Sequence, residues 1–322
     1  MTPKKVFSSY FLTEDAQKRL ESLGYDLDQS SADQLPRAEF LRRVKGVHGI
    51  ICDSACQVDA ETLDAAGDTL QVISTHSVGY NHVDLAEAHR RGIQTGHTPD
   101  VLTDAVADLA LTLILMVLRR VVEAAAVIPT GQWCNQPTWI LGRQLRGKAV
   151  GIVGLGRIGE GVAQRLRGFG VSRILYSGRR PREEAALRVG ANFVSFDELV
   201  RQSDVVCICC SLNDSTYHLF TYDVFKLMKP TAVIINISRG GVIKQEDLVS
   251  ALANKIIGGA GLDVMTPEPL PTDSHLLKYP NCVLLPHIGS ATVEAREAMG
   301  HLCIDNLQAG LEGKPLPNPI PM

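Results

Sequence analysis

Residues 148–159 read KAVGIVGLGRIG and contain the clearest structural signal in the chain. A compact apolar run is followed by three glycines and then by a helical pattern that continues through Leu166. In this spacing Gly154 permits a tight turn, Gly156 lets the backbone approach a pyrophosphate, and Gly159 lets the helix pack close to the sheet. Because a strand precedes the glycines and a helix follows them, the motif predicts dinucleotide binding rather than a glycine-rich turn without a ligand.

Short β-like runs alternate with helical patterns on both sides of this motif. Before it, strands are predicted at residues 5–8, 25–27, 49–52, 72–74 and 93–95. From the motif onward, they are predicted at residues 149–153, 174–176, 205–208, 233–237 and 283–285. Alternation at this pitch indicates βαβ units and parallel sheets. The predicted fold class is α/β, with two doubly wound parallel-sheet domains, and 322 residues suffice for two domains.

An apolar segment at residues 100–128 separates the two series of strands. Its apolar positions go nearly all the way round a helix, which is typical of a buried helix. Thr98 and Pro99 precede it as a predicted N-cap and first-turn proline. We expect this helix at a domain junction or a subunit interface.

Charge and cysteine content narrow the classes of function. Lys and Arg number 32 against 35 Asp and Glu, and no block of like charge occurs, which argues against nucleic-acid or anionic-membrane binding. The apolar stretch at residues 109–118 is too short to span a bilayer, and no signal peptide is evident. The eight cysteines lack the C-x2-C pairs of zinc sites. We therefore expect a cytoplasmic protein with reduced thiols and no metal.

The turn after the strand at residues 174–176 is rich in arginine. Residues 177–182 read SGRRPR, where an NAD enzyme usually has an acid for the ribose 2′-hydroxyl, and the first acid is Glu183. Arg179 and Arg180 can offer charge-assisted hydrogen bonds to a 2′-phosphate. NADP(H) is therefore the favoured cofactor, and NAD(H) is the weaker alternative. The arginines could also form a solvated basic turn that binds no cofactor.

Three polar side chains follow strands on the sheet edge where open α/β sheets bind ligands. Arg239 follows the strand at residues 233–237, and its planar fork suits a carboxylate. Glu268 and His287 could form the carboxylate–imidazole pair of a general acid–base catalyst. Nineteen residues separate them, so the sequence leaves their contact open. Taken singly, the histidine could be structural, the glutamate a surface carboxylate and the arginine an ion-pair residue.

Four ordered motifs resemble signatures of the D-isomer-specific 2-hydroxyacid dehydrogenases. They are GLGRIG at 154–159, NISRGGVI at 236–243, GLDVMTPEPLP at 261–271 and LLPHIGSAT at 284–292. The similarity continues through ISTHSVGYNHVD at 73–84 and TPDVLTDAVADLAL at 98–111, and so covers nearly the whole chain. Within the family, the sequence is most similar to the glyoxylate and hydroxypyruvate reductases.

The resemblance implies a discontinuous architecture with an active site in the cleft between two domains. Residues 1–99 and 288–322 would form a flavodoxin-like substrate domain, and residues 100–287 a Rossmann cofactor domain. The family pairs through its cofactor domains, so a homodimer is expected, with the helix that follows Asp100 at its interface. The other expected partner is a small 2-oxoacid or 2-hydroxyacid.

The resemblance also implies a role for each motif residue. Arg239 would bind the substrate carboxylate and polarise the 2-oxo group, His287 would donate the proton in reduction, and Glu268 would keep His287 protonated. The substrate would further contact the amides of Val78 and Gly79, as well as Ser290. Cofactor contacts are implied for Gly154, Gly156, Arg157, Ile158, Gly159, Arg179, Arg180, Ser211, Ile237, Asp263 (at the nicotinamide carboxamide) and Gly289, which would also flank the substrate.

The implied activity is NADPH-dependent reduction of glyoxylate to glycolate and of hydroxypyruvate to D-glycerate. Asp53 stands where such reductases commonly have an apolar residue, and residues 134–138 also depart from their pattern, so substrate preference and physiological direction stay open. One alternative is another D-2-hydroxyacid dehydrogenase, such as a D-lactate type. The other is a dinucleotide-sensing transcriptional corepressor on the same scaffold.

Overall fold

The computed structural model describes residues 2–31 and 35–321, and the chain divides into two compact units. The first unit comprises Met1–Leu102 with Ser290–Met322, and the second comprises Thr103–Gly289. The boundaries predicted from the sequence, after residues 99 and 287, lie three and two residues from these.

Twelve strands and twelve α-helices are found in the described part of the chain. The strands are β1 (Lys5–Ser8), β2 (Asp26–Gln29), β3 (Gly49–Cys52), β4 (Val72–Thr75), β5 (Gln94–Gly96), β6 (Ala149–Val153), β7 (Arg173–Ser177), β8 (Ala191–Phe193), β9 (Val205–Ile208), β10 (Val233–Asn236), β11 (Gly259–Leu262) and β12 (Cys282–Leu284). The helices are α1 (Glu14–Ser22), α2 (Arg37–Arg43), α3 (Ala60–Ala66), α4 (Leu85–Arg90), α5 (Thr103–Leu118), α6 (Val121–Val127), α7 (Arg157–Arg167), α8 (Glu183–Val189), α9 (Phe196–Gln202), α10 (Tyr222–Leu227), α11 (Gln245–Ala253) and α12 (Val293–Leu311).

The first unit is built on a five-stranded parallel sheet with the order β2-β1-β3-β4-β5. Successive side chains along each strand point to opposite faces of the sheet, so they belong to two separate apolar cores. Phe7, Ile50 and Ile73 belong to one core, and Val6, Ile51 and Val72 belong to the other, which α1 and α12 help to cover. Both faces are therefore buried, as is usual for parallel sheets.

The second unit is built on a seven-stranded parallel sheet with the order β12-β11-β10-β9-β6-β7-β8. Its strands β6, β9 and β10 are fully buried, and their residues are apolar apart from Asn236 at the end of β10, as expected for strands covered on both faces. The chain direction reverses at β6, so the glycine motif after β6 lies at a switch point of the sheet. The predicted α/β class is confirmed by both sheets.

Two strands of this sheet, β8 and β11, are missing from the sequence prediction. The edge strand β8 has only three residues, none of them buried, so it shows no apolar run. Strand β11 reads GAGL, and glycine is normally unfavourable in a strand. Its glycines allow close packing, because a Cβ on Gly261 would lie only 3.1 Å from Val117 and 3.3 Å from Leu113 of α5.

The prediction of one buried helix over residues 100–128 is wrong. The helix α5 begins at Thr103, so Thr98 is not its N-cap, and it ends at Leu118. Arg120 then adopts a left-handed conformation with φ of 53°, while the Leu118 carbonyl accepts a 2.7 Å hydrogen bond from the Arg143 amide. The second helix, α6, has no buried residue. Among the described residues, no helix is long and apolar enough to cross a membrane.

Candidate active site

The glycine motif forms the turn between β6 and α7. Gly154 has φ of 96°, and a Cβ there would lie 2.9 Å from the Cys210 backbone. A Cβ on Gly159 would lie 2.2 Å from the Gly154 carbonyl oxygen, so only glycine lets the helix approach the strand this closely. A Cβ on Gly156 would meet no atom within 4 Å. This open space lies in front of the N-terminus of α7. The amides of the first turn of a helix have no carbonyl partner within the helix, so they can bind a pyrophosphate in this space.

Arg179 and Arg180 lie in the turn that follows β7, and both side chains are exposed. Within the described residues, neither guanidinium forms an ion pair. The Tyr176 hydroxyl accepts a 2.9 Å hydrogen bond from the Arg182 amide and thereby restrains the turn. The turn thus offers two cations to an anionic ligand, at the end of a strand that carries Ser177 instead of an acid.

Arg239 lies three residues beyond β10, in a loop that Asn236 restrains. The buried Asn236 amide nitrogen donates a 2.9 Å hydrogen bond to the Arg239 carbonyl, and its oxygen accepts bonds from the Ser238 amide and hydroxyl, both at 3.0 Å. Burial lowers the pKa of the Arg239 guanidinium, and the Glu268 charge partly restores it. An arginine stays cationic under such a shift.

Gly240 brings the arginine loop against the segment that follows β11. A Cβ on Gly240 would lie 2.0 Å from the Met265 carbonyl oxygen, so any larger residue would separate the two loops. The Gln245 side chain also joins them, donating at 2.6 Å to the Thr266 carbonyl and accepting at 3.0 Å from the Thr266 amide. These contacts place Glu268, two residues further on, beside the arginine loop.

Glu268 and His287 are in direct contact, which the sequence alone could not establish. Their Oε2 and Nδ1 atoms are 2.7 Å apart, and the other Glu268 oxygen accepts a 2.9 Å hydrogen bond from the Met265 amide. Burial raises the pKa of Glu268, but the hydrogen bond and charge of His287 outweigh it, so the net pKa lies below the ordinary value. Because Nδ1 faces the carboxylate, Nε2 is the ring nitrogen that can face a substrate.

Asp263 holds the backbone next to His287. Its two carboxylate oxygens accept hydrogen bonds from the Ile288 and Gly289 amides, both at 2.8 Å. Burial raises the pKa of Asp263, and these two amides only partly offset that effect. His287 itself has φ of 54°, an uncommon conformation for a residue with a side chain. Asp263 is thus engaged with the loop, and its predicted contact with a nicotinamide carboxamide stays a prediction.

In the first unit, the loop after β4 presents two adjacent amides. The Ser77 hydroxyl donates to the Gly79 carbonyl at 2.5 Å, and His97 Nδ1 donates to the Val78 carbonyl at 3.0 Å. Thr75 adds a 2.9 Å hydroxyl–hydroxyl bond to Ser77. No acceptor in the described part of the chain binds the Val78 and Gly79 amides. Fixed amides without an internal acceptor suit a carboxylate.

The remaining predicted residues occupy positions that are compatible with their expected roles, which stay predictions. Ile237 is buried at the end of β10, and Arg157 and Ile158 open α7. Ser211 is exposed, and its carbonyl accepts a 2.7 Å hydrogen bond from the Thr216 hydroxyl. Ser290 is half-buried and opens the second segment of the first unit.

Sequence reasoning misses two residues that shape this site. Asn236 is a fully buried amide at the end of the apolar run VIIN, and a polar residue at such a strand end is a usable signal. Gly240 directly follows the arginine and approaches Met265 closely. These two residues are 25 positions apart, so the spacing of motifs in the sequence cannot reveal their contact.

Comparisons with known proteins agree with this geometry. The sequence profile of the D-isomer specific 2-hydroxyacid dehydrogenase NAD binding domain matches residues 111–289. A human glyoxylate reductase/hydroxypyruvate reductase is 50% identical over 297 residues, which cover 92% of this chain and 90% of the human protein. The chain belongs to the D-isomer specific 2-hydroxyacid dehydrogenase family. A glyoxylate reductase from Thermofilum pendens is 43% identical over 317 residues, or 98% of this chain and 93% of that protein.

A solved structure extends the similarity to the whole fold. The NADPH-dependent glyoxylate/hydroxypyruvate reductase of Sinorhizobium meliloti, in complex with NADP and malonate, is 33% identical with a TM-score of 0.86. The match covers 99% of this chain and 97% of that one. The predicted family and oxidoreductase class are therefore confirmed. The second unit of this dehydrogenase binds a nicotinamide dinucleotide, for which the space before Gly156 and the first turn of α7 provide a fitting cradle.

Proposed function

We propose that this dehydrogenase reduces small 2-oxoacids with NADPH, converting glyoxylate to glycolate and hydroxypyruvate to D-glycerate. The observation that carries the proposal is the 2.7 Å contact between Glu268 and His287, next to the loop that presents Arg239. The human and Sinorhizobium relatives, which are named for these reductions, support the choice of substrates.

The proposed mechanism gives each of these side chains a separate task. Arg239 binds the substrate carboxylate and stabilises the negative charge that develops on the 2-oxo oxygen. His287 donates a proton from Nε2 to that oxygen in reduction and accepts it in oxidation. Glu268 accepts the Nδ1 hydrogen, which orients the ring and stabilises the imidazolium. When bound, the reduced nicotinamide supplies the hydride.

Four further residues are proposed to support these steps. The Val78 and Gly79 amides contribute hydrogen bonds to the carboxylate, because both are held in place and have no acceptor among the described residues. Asp263 keeps the His287 loop in position through the amides that follow it. Ser290, the first residue after Gly289, contacts the substrate.

The preference for NADPH over NADH is proposed from the basic turn after β7. Arg179 and Arg180 are exposed and free of ion pairs within the described residues, so a 2′-phosphate can bind both without displacing a carboxylate. One hydrogen bond to a charged group contributes about 1.5–3 kcal/mol, which corresponds to roughly ten- to hundredfold in affinity. NADH is then the weaker cofactor.

We also propose a homodimer that covers the apolar surface of α6. Val121, Val122 and Ile128 are 44%, 47% and 64% exposed, and Trp133 in the following segment is 68% exposed. Val121 and Ile128 also line an open groove between α5 and α6. Clustered apolar exposure of this kind marks an interaction surface, and a second copy of the chain is the proposed occupant.

Steady-state kinetics test the proposed activity. The loss of reduced-nicotinamide absorbance is followed with glyoxylate, hydroxypyruvate and pyruvate, each with NADPH and with NADH. The proposal predicts rapid turnover of the first two substrates with NADPH and slower turnover with NADH. Turnover of pyruvate alone would favour the D-lactate-type alternative. Tight dinucleotide binding without turnover of any oxoacid would contradict the proposal and favour the sensor alternative.

A further inference from the structure

The sheet of the first unit has a switch point of its own. In the order β2-β1-β3-β4-β5, the chain direction reverses between β1 and β3. Open parallel sheets bind ligands beyond the carboxyl ends of their strands at such points. Tyr10 lies two residues beyond β1, and Asp53 and His76 directly follow β3 and β4. The His76 amide donates a 2.7 Å hydrogen bond to the Cys52 carbonyl, which fixes the two strand ends side by side.

At this edge, the Tyr10 hydroxyl and both ring nitrogens of His76 are buried and have no partner at hydrogen-bond geometry within the described residues. The Arg296 backbone lies near enough to the His76 ring to raise its pKa, but it does not reach that geometry. His76 is only 7% exposed, and its ring centroid lies 5.4 Å from that of Tyr10. Buried polar groups in folded proteins are nearly always hydrogen-bonded, so this adjacent pair calls for a polar partner that the described residues do not supply.

The surrounding charges favour a neutral ligand group. Arg296 of α12 acts electrostatically on both His76 and Tyr10, and Asp53 acts on Tyr10 with the opposite sign. Burial and the Arg296 charge lower the pKa of His76 to about 4 and outweigh the Arg296 backbone, which raises it, so the ring is neutral and carries one donor and one acceptor. Burial raises the pKa of Tyr10, so its hydroxyl stays protonated. A hydroxyl group fits this set better than a second carboxylate.

We propose that Tyr10 and His76 form a subsite for a hydroxyl group on the third carbon of the substrate, so that the enzyme selects hydroxylated 2-oxoacids over alkyl ones. The subsite rests on the proposed function, in which the Val78 and Gly79 amides hold the carboxylate. His76 precedes Val78 by two residues, a span of at most about 7 Å. A small substrate held by those amides therefore reaches the His76 ring with its other end.

The test compares three substrates in full-length variants. Glyoxylate has no third carbon, pyruvate has a methyl group there, and hydroxypyruvate has a hydroxyl. We expect Tyr10→Phe to lower kcat/KM for hydroxypyruvate about tenfold and to leave glyoxylate within about twofold. His76→Leu should have the same selective effect, and His76→Gln, which keeps a donor and an acceptor, should restore part of the activity. Tyr25→Phe, at a half-buried tyrosine of the same unit, is the matched control.

Thermal unfolding separates a ligand contact from a structural one. Because the Tyr10 hydroxyl has no described partner, Tyr10→Phe should leave Tm unchanged or raise it. A lower Tm with equal losses for glyoxylate and hydroxypyruvate would show a structural role and overturn the subsite. An unchanged hydroxypyruvate-to-glyoxylate ratio of kcat/KM in the Tyr10 and His76 variants would overturn it too, as would a wild-type kcat/KM for pyruvate equal to that for hydroxypyruvate. If the wild type reduces none of these oxoacids, the proposed function itself fails.

Discussion

His287 contacts Glu268 from a backbone in the left-handed conformation, and Asp263 accepts hydrogen bonds from the two amides that follow. Non-glycine residues in this region cost conformational energy and are found where a side chain must be held in a specific place. The strain at His287 is therefore consistent with a residue whose ring position matters for the reaction.

Replacing His287 tests its role as proton donor. His287→Ala should lower kcat for glyoxylate by about 10²–10⁴-fold, because the 2-oxo oxygen loses its acid, while the Kd for NADPH changes little. Steady-state kinetics and a fluorescence titration measure the two quantities. His275→Ala, at an exposed histidine of the same unit, is the control and should behave like the wild type. Near-normal turnover of His287→Ala would exclude the acid role.

Replacing Glu268 tests the support of the imidazolium. Because the pKa of Glu268 is lowered, its carboxylate is ionised throughout the neutral range and can accept the Nδ1 hydrogen of His287. Glu268→Gln removes this charged acceptor, so kcat for glyoxylate at pH 7 should fall about tenfold or more. Steady-state kinetics measure the change. Turnover equal to that of the exposed control Glu246→Gln would contradict the role.

Replacing the basic turn tests the choice of cofactor. The double variant Arg179→Ala with Arg180→Ala should narrow the NADPH-to-NADH ratio of kcat/KM roughly ten- to hundredfold, because the 2′-phosphate loses its charged partners. Arg173→Ala, at the exposed start of the same strand, is the control. If the NADPH-to-NADH ratio of kcat/KM does not change in the double variant, the turn is a solvated surface that does not contact the cofactor.

At the scale of secondary-structure elements, the sequence predicts the strands and helices that have a clear local pattern. It misses those whose form depends on packing against distant residues. The strands β6 and β9 are apolar throughout, β10 is apolar up to Asn236, and all three are predicted to within one residue. The glycine strand β11 is missed because its sequence makes sense only with Val117 of α5 packed against it. The break after α5 is missed because the amide that binds its last carbonyl comes from Arg143, 25 residues later.

The exposed helix α6 gives a prediction at this scale. Val122→Glu places a charge in the apolar surface that the second copy is proposed to cover, so the variant should dissociate into monomers at concentrations where the wild type is dimeric. Light scattering coupled to size-exclusion chromatography measures the mass. Leu187→Glu, on the exposed face of α8 at 83% exposure, is the control and should stay dimeric. A monomeric wild type would refute the dimer.

At the scale of the whole molecule, the order of the motifs along the chain is enough to predict an α/β protein of two parallel sheets and its family. The glycine motif, the arginine loop and the Glu268 and His287 segments each follow a parallel strand of the second sheet, and this topology collects them at one edge. What the sequence could not supply is the pairing itself, because the contact between Glu268 and His287 depends on loops held by Gly240 and Asp263. The predicted cytoplasmic location stays a prediction.

Transfer of label from the cofactor tests the central claim, hydride transfer to a 2-oxoacid, most directly. Hydroxypyruvate is reduced with NADPH that carries deuterium at both C4 positions of the nicotinamide, and the product is analysed by mass spectrometry and chiral chromatography. The account predicts D-glycerate with one deuterium on carbon 2, formed in equal amount to the NADPH consumed. Unlabelled glycerate, the L-isomer, or NADPH consumption without glycerate would contradict it.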